Sequence, residues 1–556
     1  MQIIIPMSGF GERFRQAGYK VPKPMIEIDN KPIISYVIDM FPGEKNFIFI
    51  CNKDHLENSN FKMKKTLKKY CPSGKIISID PHKLGPINAI YQVENALNPD
   101  EPTIVNYCDF TCYWEWSHFK KYINLTKCIG AIPAYKGFHP HSLGSTNYAY
   151  ILESEGWLED IQEKKPYTNN RMEEYASSGT YYFKTAKIML QAFKYVIEKD
   201  LNVGGEYYVS LAYKFLLNKK HPVAIYPLQH FMQWGTPEDV SEYKYWSKAF
   251  NGLIKNSKDK YISNGALVLP MGGLGQRFSS EGYLLTKPLI PVSGLPMVLQ
   301  AIDDLPLSKN NIFVLRKDMP NYKLLHEELL SKYPNSIIKY INKVTEGQAC
   351  TAKIGLDIIK NKLDKNISPI TIGACDNGAL YDISPYYRLI NDKSVDIIVW
   401  GIRGYPNAIR NPKMFGWIDE KKGKISSISV KTPLKHPQSD PIVLGTFTFK
   451  KAEYFQKALS KLKDRSGRVN GEYYIDSLIN DAIEEGLNCQ LFEIESYLCW
   501  GTPNDLKTFE YWQSCFHKWN KHPYNLALDK RVPKNKIASL KNYYNSLIPK
   551  LPIGIK

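Results

Sequence analysis

Short apolar runs alternate with amphipathic stretches through the beginning of the chain. The runs are rich in β-branched and aromatic residues, as buried strands are, whereas the stretches between them repeat their apolar positions with the helical period. The strands predicted in this way are 1–5, 45–51, 75–79 and 102–107, and the helices are 61–70 and 88–96. Because strands that alternate with helices form βαβ units, we expect an α/β fold with a mostly parallel sheet and helices on both faces.

The landmarks of the first half return in the second half at a nearly constant offset. Gly11 and Gly275 lie 264 residues apart, as do Lys23 and Lys287. The offset is 267 residues at the aspartates of 109 and 376 and 266 residues at the glutamates of 206 and 472. A constant offset over half a chain indicates two homologous domains. We expect a first domain at 1–251, a polar linker at 252–262, a second domain at 263–514 and a basic tail at 515–556, in which 537–548 forms a helix.

Composition narrows the class of protein. The 556 residues carry a formal charge of +18, but the lysines are spread along the chain without a basic-aromatic motif, so we expect phosphorylated small molecules rather than nucleic acid as partners. No apolar run approaches the roughly 18 residues of a membrane helix, and no leader is visible. Ten cysteines suit reduced thiols, and the Cys108/Cys112 pair has no partners that would complete a zinc site. We therefore expect a cytoplasmic protein without membrane insertion.

A glycine-rich loop follows the first strand of each predicted domain. In the first domain the loop is Ser8-Gly9-Phe10-Gly11, with Arg13 and Lys23 shortly after it. Glycines let the backbone turn tightly and bring its N–H groups close to an anion. The corresponding residues of the second domain are Gly272, Gly273, Leu274, Gly275, Arg277 and Lys287. A strand, a glycine turn and two cations predict a cradle for a triphosphate.

A carboxylate follows a later buried strand in each domain. Asp109 comes after 104–108, and Asp376 comes after 370–375. Ligands of parallel sheets collect beyond the carboxyl ends of the strands, so these carboxylates face the same edge as the glycine loops. A strand-end aspartate can also serve as a turn or capping residue. Its repetition in register with the loop favours a Mg²⁺ ligand that bridges phosphate oxygens.

Both halves resemble the sugar-1-phosphate nucleotidyltransferases, the pyrophosphorylases that make nucleotide sugars, together with their cytidylyltransferase relatives. The resemblance rests on the glycine loops with the following Arg-Phe, on the Lys-Pro pairs at 23–24 and 287–288, on the strand-end aspartates, and on the Gly-Glu-Tyr-Tyr and Trp-Gly-Thr-Pro segments at 205–208, 471–474, 234–237 and 500–503. It implies two tandem Rossmann-like (GT-A-like) nucleotidyltransferase domains. It also implies the reaction: a phosphorylated sugar or related small molecule attacks the α-phosphorus of an NTP, and pyrophosphate leaves.

The resemblance implies a role for each matching residue. Catalytic cations that hold the triphosphate would be Arg13, Lys23, Arg277 and Lys287. Nucleotide-binding residues would be Ser8, Gly9, Phe10, Gly11, Gly85, Asn88, Gly272, Gly273, Leu274, Gly275, Gly347 and Gln348. Acceptor-binding residues would be Lys164, Gly179, Glu206, Lys431, Gly445 and Glu472, and the Mg²⁺ ligands would be Asp109 and Asp376.

The sequence departs from the family pattern at two places. The position of a second metal-binding aspartate is Gln233 in the first domain and Cys499 in the second, and a thiol is a poor partner for a hard ion. Asn88 stands where Gln often reads the base, whereas the second domain has Gln348, so the two domains need not use the same nucleotide.

The two predicted domains also differ from each other. The segment 136–144, with its two histidines, has no clear equivalent in the second domain. It is open to three interpretations: a stiff loop, acceptor recognition or metal binding.

Three functions compete on this sequence. The first is a pair of nucleotidyltransferase domains, at least one active, that supply bacterial capsule or other surface-polysaccharide synthesis, a pathway implied by the resemblance alone. The second is a GT-A-type glycosyltransferase, against which the sequence offers Asp109-Phe110-Thr111 in place of Asp-x-Asp. The third is one catalytic domain beside a non-catalytic, nucleotide-binding or scaffolding copy. The identity of the NTP and of the acceptor is open, and a homo-oligomer is compatible with each function.

Overall fold

The computed structural model describes residues 1–255, 262–363 and 367–548. The chain forms two compact units, one from Met1–Lys244 with the chain from Lys541 onward, and one from Tyr245–Leu540. The predicted linker 252–262 includes residues 256–261, which lie outside the described residues. The predicted domain limits stay predictions, although helices continue through two of them, at 251 and at 514.

The first unit is an α/β unit. Its strands are β1 (Gln2–Met7), β2 (Glu27–Ile28), β3 (Lys31–Pro32), β4 (Phe47–Asn52), β5 (Lys75–Ile79), β6 (Thr103–Asn106), β7 (Phe110–Tyr113), β8 (Gly130–Tyr135), β9 (Ala149–Ser154), β10 (Trp157–Glu163), β11 (Tyr175–Ser177), β12 (Thr180–Phe183), β13 (Val223–Leu228) and β14 (His230–Gln233). Its helices are α1 (Glu12–Gln16), α2 (Ile33–Asp39), α3 (Lys53–Glu57), α4 (Met63–Tyr70), α5 (Pro86–Tyr91), α6 (Trp116–Thr126), α7 (Ala186–Glu198), α8 (Tyr213–Asn218) and α9 (Pro237–Lys255), the last of which ends in the second unit.

The second unit repeats this order. Its strands are β15 (Ile262–Met271), β16 (Pro291–Val292), β17 (Leu295–Pro296), β18 (Leu307–Arg316), β19 (Ile337–Ile341), β20 (Ile370–Ile372), β21 (Asn377–Leu380), β22 (Ile397–Ile402), β23 (Gly416–Lys421), β24 (Lys424–Val430), β25 (Ile442–Phe449), β26 (Cys489–Glu493) and β27 (Ser496–Cys499). Its helices are α10 (Gln276–Ser280), α11 (Met297–Asp304), α12 (Tyr322–Lys332), α13 (Gln348–Lys362), α14 (Ile383–Asn391), α15 (Pro406–Arg410), α16 (Ala452–Asp464), α17 (Ile475–Glu484), α18 (Pro503–Lys518) and α19 (Ile537–Ser546), the last of which ends in the first unit.

The two main sheets have the same strand order. In the first unit the order is β11-β9-β10-β13-β8-β12-β6-β1-β4-β5, and in the second it is β23-β24-β26-β22-β25-β20-β15-β18-β19. Strands β5, β4, β1 and β6 are parallel neighbours, and β12 then enters antiparallel between β6 and β8. The matching order confirms the tandem α/β fold with mixed sheets.

The parallel strands of the first unit are buried on both faces. Every residue of β1, β4 and β6 is buried, which explains why these strands read as continuous apolar runs rather than as alternating ones. Their carboxyl ends meet at one edge because Ile3 of β1 pairs in register with Phe47 of β4 and Ile104 of β6. Each residue that follows these strands is therefore brought to that edge.

The predicted elements agree with the structure, with small shifts at their ends. The helix predicted at 88–96 is instead α5, which begins earlier at Pro86, followed by a separate 3₁₀ turn at Glu94–Ala96. Helix α18 continues past the predicted start of the tail because Cys515 and Phe516 are buried in its unit. No helix in the described part of the chain is long and apolar enough to cross a membrane.

Candidate active site

The glycine loop of the first unit forms one wall of a cavity of about 550 Å³. Gly11 has a φ of +62°, a left-handed conformation that suits glycine, and α1 begins directly after it. An added Cβ at Gly9 would meet no atom within 4 Å, so the space above the loop is open to a ligand. Asn52, at the end of β4, donates a hydrogen bond of 3.2 Å to the Ser8 carbonyl and holds the loop. The exposed Arg13 also lines the cavity.

Lys23 and Asp109 form an ion pair at the centre of this cavity. The Lys23 Nζ lies 2.8 Å from Asp109 Oδ2, and the side chains are 27% and 19% exposed. Burial opposes the charge of the lysine, but the neighbouring Asp109 carboxylate outweighs it and raises the pKa of Lys23. Both predicted residues are thus brought together, because Asp109 follows β6 and Lys23 follows the loop after β1.

Gln233, directly before the late Trp-Gly-Thr-Pro motif, lies beside Asp109. Strand β14 pairs antiparallel with β7, and the backbone N–H of Trp234 donates a hydrogen bond of 2.9 Å to the Asp109 carbonyl. An added Cβ at Gly235 would lie 2.4 Å from the Gln233 amide nitrogen and 3.1 Å from Asp109 Oδ2. The glycine thus lies between the side-chain amide and the carboxylate.

The donor set beside Asp109 suits a hard divalent cation only in part. A carboxylate and a side-chain amide are both oxygen donors, and the remaining ligands of such an ion are commonly phosphate oxygens and water. No group of three or more His, Cys, Asp or Glu side chains that could hold a metal occurs among the residues that the structure describes. The side chains therefore fit an ion that arrives with the nucleotide rather than a permanently caged one.

A chain of hydrogen bonds forms the opposite wall of the cavity. The Lys164 Nζ donates a hydrogen bond of 2.6 Å to Tyr208 Oη and lies 4.5 Å from the centre of its ring. Tyr208 Oη in turn donates to the Glu206 carboxylate. Gly179, which has a φ of +92°, lines the same wall, and its carbonyl accepts a hydrogen bond of 3.0 Å from the Tyr107 N–H. All three predicted acceptor residues of this domain thus face the cavity.

Glu163 lines the cavity as well, and the sequence-based prediction did not include it. Its Oε2 accepts a hydrogen bond of 2.6 Å from Ser210 Oγ. Burial raises the pKa of Glu163 to about 7, with a further rise from the nearby Glu206 carboxylate and opposing effects from Ser210 and Lys164. The signal was its position directly before the predicted acceptor lysine.

Gly85 joins the two walls. Its φ is +85°, and an added Cβ would lie 2.8 Å from the Tyr207 N. Tyr207 closes the junction with hydrogen bonds to the Leu84 carbonyl (3.0 Å) and from the Ile87 N–H (3.2 Å). Asn88 does not line the cavity, because its amide turns back toward the Leu84 carbonyl at 3.5 Å. Base reading by Asn88 stays a prediction.

The two histidines of segment 136–144 belong to an aromatic cluster behind the cavity. His141 Nε2 lies 2.9 Å from Tyr135 Oη, and the Tyr135 ring stacks on Phe231 at 4.6 Å between ring centres. Burial lowers the pKa of His139 to about 4, so this imidazole is neutral at pH 7. Of the three interpretations, the structure favours the packed loop, which supports Phe231 at the cavity wall.

The second unit repeats the donor half of the site. The Lys287 Nζ lies 2.5 Å from Asp376 Oδ2, the Trp500 N–H donates to the Asp376 carbonyl at 2.9 Å, and Gly275 has a φ of +67°. The asparagine that holds the first loop is replaced by Arg316, whose Nη1 donates a hydrogen bond of 3.2 Å to the Gly272 carbonyl. Of the other loop residues, Arg277, Gly273 and the Leu274 side chain are exposed.

The acceptor half of the second unit keeps its main residues with new contacts. Lys431 Nζ donates a hydrogen bond of 2.5 Å to the Met414 carbonyl, and burial lowers the pKa of this lysine. Glu472 and Gly445 take the positions of Glu206 and Gly179, and Gly445 again has a positive φ, at +84°. Gly347 packs on the backbone of residue 473, where an added Cβ would lie 2.6 Å from the amide nitrogen, and Gln348 begins α13.

Comparison with known proteins shows a partial match to one family. Residues 2–207 match the model of the nucleotidyl transferase family. The chain is 33% identical over 76 residues to a UTP–glucose-1-phosphate uridylyltransferase of Haemophilus ducreyi, covering 12% of this chain and 26% of that protein. It is 24% identical over 277 residues to the bifunctional protein GlmU of Methanocaldococcus jannaschii, covering 49% of this chain and 61% of that protein. The chain thus spans less than two thirds of each of these curated relatives.

Among solved structures, a nucleoside-diphosphate-sugar pyrophosphorylase from Vibrio cholerae aligns with a TM-score of 0.36 and 17% identity, over 44% of this chain and 99% of that one. Enzymes of the nucleotidyl transferase family generally use a divalent metal ion. The family match covers the strand, glycine loop, lysine, aspartate and Gly-Glu segment that line the first cavity. Over residues 2–207 the chain is therefore similar to the nucleotidyl transferase family.

Proposed function

We propose that the first domain transfers a nucleotidyl group from an NTP to a small phosphorylated acceptor that carries hydroxyl groups. One observation supports this most directly: the glycine loop, the Lys23–Asp109 pair and the Lys164–Tyr208–Glu206 chain line a single cavity. Cations on one wall suit a triphosphate. The lysine, tyrosine and glutamate on the other wall suit a phosphate and hydroxyl groups.

In the proposed reaction, a phosphate oxygen of the acceptor forms a bond with the α-phosphorus of the NTP. The bond from the α-phosphorus to the oxygen that bridges it to the β-phosphorus breaks, and pyrophosphate leaves with that oxygen and its electron pair. The protein contributes position and charge rather than a covalent intermediate. The Lys23 ammonium stabilises the negative charge that develops on the transferred phosphoryl oxygens, and Arg13 binds the triphosphate at the open side of the loop.

We propose Mg²⁺ as the metal, held by the Asp109 carboxylate with the Gln233 amide oxygen beside it. The support is that the Gln233 side-chain amide and the Asp109 carboxylate both lie beside Gly235, so a rotation of the amide would bring its oxygen toward the carboxylate. When bound, the ion offsets phosphate charge and keeps the polyphosphate in position for transfer. The Lys23 ammonium lies 2.8 Å from the same Asp109 carboxylate, so this lysine would stand beside the cation and within reach of the phosphates.

We propose the same class of reaction for the second domain. Its Lys287–Asp376 pair and its Glu472 support this, whereas Cys499 beside Asp376 favours weaker metal binding there. The alternative of a non-catalytic second copy rests on this one substitution. A glycosyltransferase lacks support at the metal position, where Asp109 is followed by Phe110 and Thr111 rather than by a second carboxylate.

The proposed products are nucleotide-linked sugars or polyols. Capsule or surface-polysaccharide synthesis, a cytoplasmic location and a homo-oligomer remain predictions. The two partners of the reaction, an NTP and a phosphorylated acceptor, follow from the charges of the two cavity walls, and a nucleic-acid partner is not needed to account for the cationic residues there.

The test is an NTP-by-acceptor screen on the full chain, with pyrophosphate release as one readout and the product mass as the other. Variants Lys23→Ala and Lys287→Ala assign each product to a domain. We expect each product to disappear with one of the two changes. If pyrophosphate release required no acceptor, or if neither lysine mattered, the proposed function would be wrong.

A further inference from the structure

The acceptor walls of the two domains differ at three positions that contact one another. In the first domain, Ala149 of β9 pairs with Glu163 of β10, and the Glu163 carboxylate accepts the hydrogen bond from Ser210. Glu163 and Ala149 line the cavity. We name this set the acid triad of the first domain: 149, 163 and 210.

The second domain has a different set at the equivalent positions. Gly416 of β23 pairs with Val430 of β24, and Asp476 stands at the start of α17, where the first domain has the serine. An added Cβ at Gly416 would collide with the Asp476 carboxylate. The glycine therefore makes room for the acid, and the valine fills the position that the glutamate holds in the other copy.

Positions 416, 430 and 476 form the acid triad of the second domain. In each triad one acid lies beside the acceptor lysine. The Lys164 charge acts on the Glu163 carboxyl, and the Lys431 charge acts on the Asp476 carboxyl. The acid comes from the end of a strand in one domain and from the start of a helix in the other. Its side chain is also shorter by one methylene in the second domain.

Burial makes each of these acids costly. Burial raises the pKa of Glu163 to about 7 and that of Asp476 to about 6. An apolar residue would fill either position without this desolvation penalty, and Val430 does so in the second domain. Both domains nevertheless keep a buried acid there despite its desolvation penalty, and they supply it from two different elements. This indicates that the acid contacts a ligand.

Proton transfer does not explain the acids. The attacking group in the proposed reaction is a phosphate monoester, which has a second pKa near 6 and is mostly without a proton on its oxygens at pH 7. No base is needed to activate it. A carboxylate beside the phosphate-binding lysine instead accepts hydrogen bonds from the hydroxyl groups of the acceptor.

We propose that the acid triad determines acceptor specificity, and that the transfer of the acid from position 163 to position 476 makes the two domains select different phosphorylated polyols. This inference rests on the proposed function. An acceptor hydroxyl that binds Glu163 in the first domain would face Val430 if the same acceptor entered the second domain. It would then have no hydrogen-bond partner at that position. A site built to bind a hydroxyl discriminates strongly against acceptors that cannot satisfy it.

The experiment exchanges the triads in the full chain. Ala149→Gly/Glu163→Val/Ser210→Asp is made in a Lys287→Ala background, and Gly416→Ala/Val430→Glu/Asp476→Ser is made in a Lys23→Ala background. The probes are glucose 1-phosphate, inositol 1-phosphate and glycerol 3-phosphate, with UTP, CTP or dTTP as donor. We expect kcat/KM ratios between acceptors to shift by tenfold or more toward those of the other domain, while the KM for the NTP changes less than twofold.

A single isosteric variant guards against misfolding of the triple variants. Glu163→Gln should raise the acceptor KM by tenfold or more and leave the NTP KM unchanged, whereas Glu159→Gln, at an exposed position of the same strand, should change neither. An unchanged acceptor preference in active triple variants, or equal effects on acceptor and NTP in Glu163→Gln, would overturn the inference alone. Absence of NTP-dependent pyrophosphate release from the unmodified chain would instead overturn the proposed function.

Discussion

The two domains keep the same residues in the proposed donor half and differ where we propose that the metal and the acceptor bind. Both domains have the loop glycine with positive φ and the lysine–aspartate pair. In both, the backbone N–H of a tryptophan also donates a hydrogen bond to the carbonyl of the aspartate. Beside the aspartate, however, an amide in the first domain is replaced by the Cys499 thiol in the second, whose Sγ would lie 3.5 Å from an added Cβ at Gly501. Burial raises the pKa of this thiol, and sulfur is in any case a poor ligand for a hard cation.

A second difference lies beneath these sites. The first domain has an apolar Met40 where the second has the buried Asp304. The Asp304 carboxylate accepts a hydrogen bond of 3.1 Å from the Ala379 N–H in β21, the strand that follows Asp376. Arg531, from the part of the chain without a counterpart in the first domain, neutralises it at 2.5 Å. Duplication thus preserved the chemistry of the donor half, while the supports and the acceptor wall diverged.

The largest effect that we expect comes from the lysine that the domains share. Lys23→Ala and Lys287→Ala should each lower the turnover of their own domain by about 10²–10³, because each removes a charge directed at the transferred phosphoryl group. Single-turnover pyrophosphate release checks this, with the exposed Lys20→Ala as the control. If one lysine mattered and the other did not, the shared donor half would no longer imply two active sites.

Loss of the arginine found only in the second domain should have the next largest effect. Arg531→Met leaves the Asp304 carboxylate, which is 2% exposed, without its counterion, and we expect it to destabilise this unit by about 3 kcal/mol. Hydrogen exchange of peptides from 297–304 and 377–380 measures the loss locally. The double variant Asp304→Met/Arg531→Met places at 304 the apolar residue that the first domain has at Met40 and leaves no buried charge, so it should recover most of the lost stability. Equal protection in the single variant and the original chain would contradict the ion-pair argument.

An exchange of the metal-side residues should have an intermediate effect. Cys499→Asp gives the second domain two carboxylates for the cation, so the Mg²⁺ concentration for half-maximal activity should fall about tenfold in a Lys23→Ala background. Gln233→Cys should raise it by a similar factor in the first domain, measured in a Lys287→Ala background. A cation requirement that did not respond to either change would show that positions 233 and 499 do not face the metal.

The donor half could be predicted from the sequence because its residues follow strands of a parallel sheet. Lys23 and Asp109 lie far apart in the chain, yet strand order alone brings both to one edge. The glycine at 179 and the lysine at 164 were instead predicted from the resemblance to the nucleotidyltransferases. Only the positions of Lys23 and Asp109 needed no more than the element order and the local turn chemistry.

The acceptor wall and the supports could not be predicted in this way. Glu163 draws its significance from Ser210, which comes from a different element, and a sequence pattern does not reveal that contact. The Arg531–Asp304 pair likewise joins residues more than two hundred positions apart. For Asn88 the motif position was recognised from the sequence, but the direction of its side chain was not. That direction depends on the local turn, where the Asn88 amide points to the Leu84 carbonyl. Long-range packing and rotamer choice decided these cases.

The smallest expected effect is a difference in the pH dependence of stability. Glu163 holds its proton up to pH about 7 in the folded chain, whereas its ordinary pKa is 4.5, and for Asp476 the corresponding values are about 6 and 3.8. Between these limits the folded state binds more protons than the unfolded state, so each group lowers stability as the pH rises through its window. Below the lower limit both states are protonated, and the effect is absent.

The pH range over which Glu163 lowers stability therefore extends about one pH unit higher than the range for Asp476. Raising the pH from 6 to 7.5 should weaken hydrogen-exchange protection around β9 and β10 more than around β23 and β24. The groups that face Glu163 include Lys164, Glu206, Tyr107, Tyr181 and Tyr208, and those that face Asp476 include Lys431 and Tyr474.

Glu163→Gln should abolish this additional loss of protection in the first domain, because a neutral amide has no proton to release. We expect a change of a few-fold in the exchange rate. Asp476→Asn serves as the matched variant and should leave the first domain unchanged. The same loss of protection in Glu163→Gln as in the original chain would mean that another group in the first domain titrates, and the acids of the two domains would then no longer account for the difference.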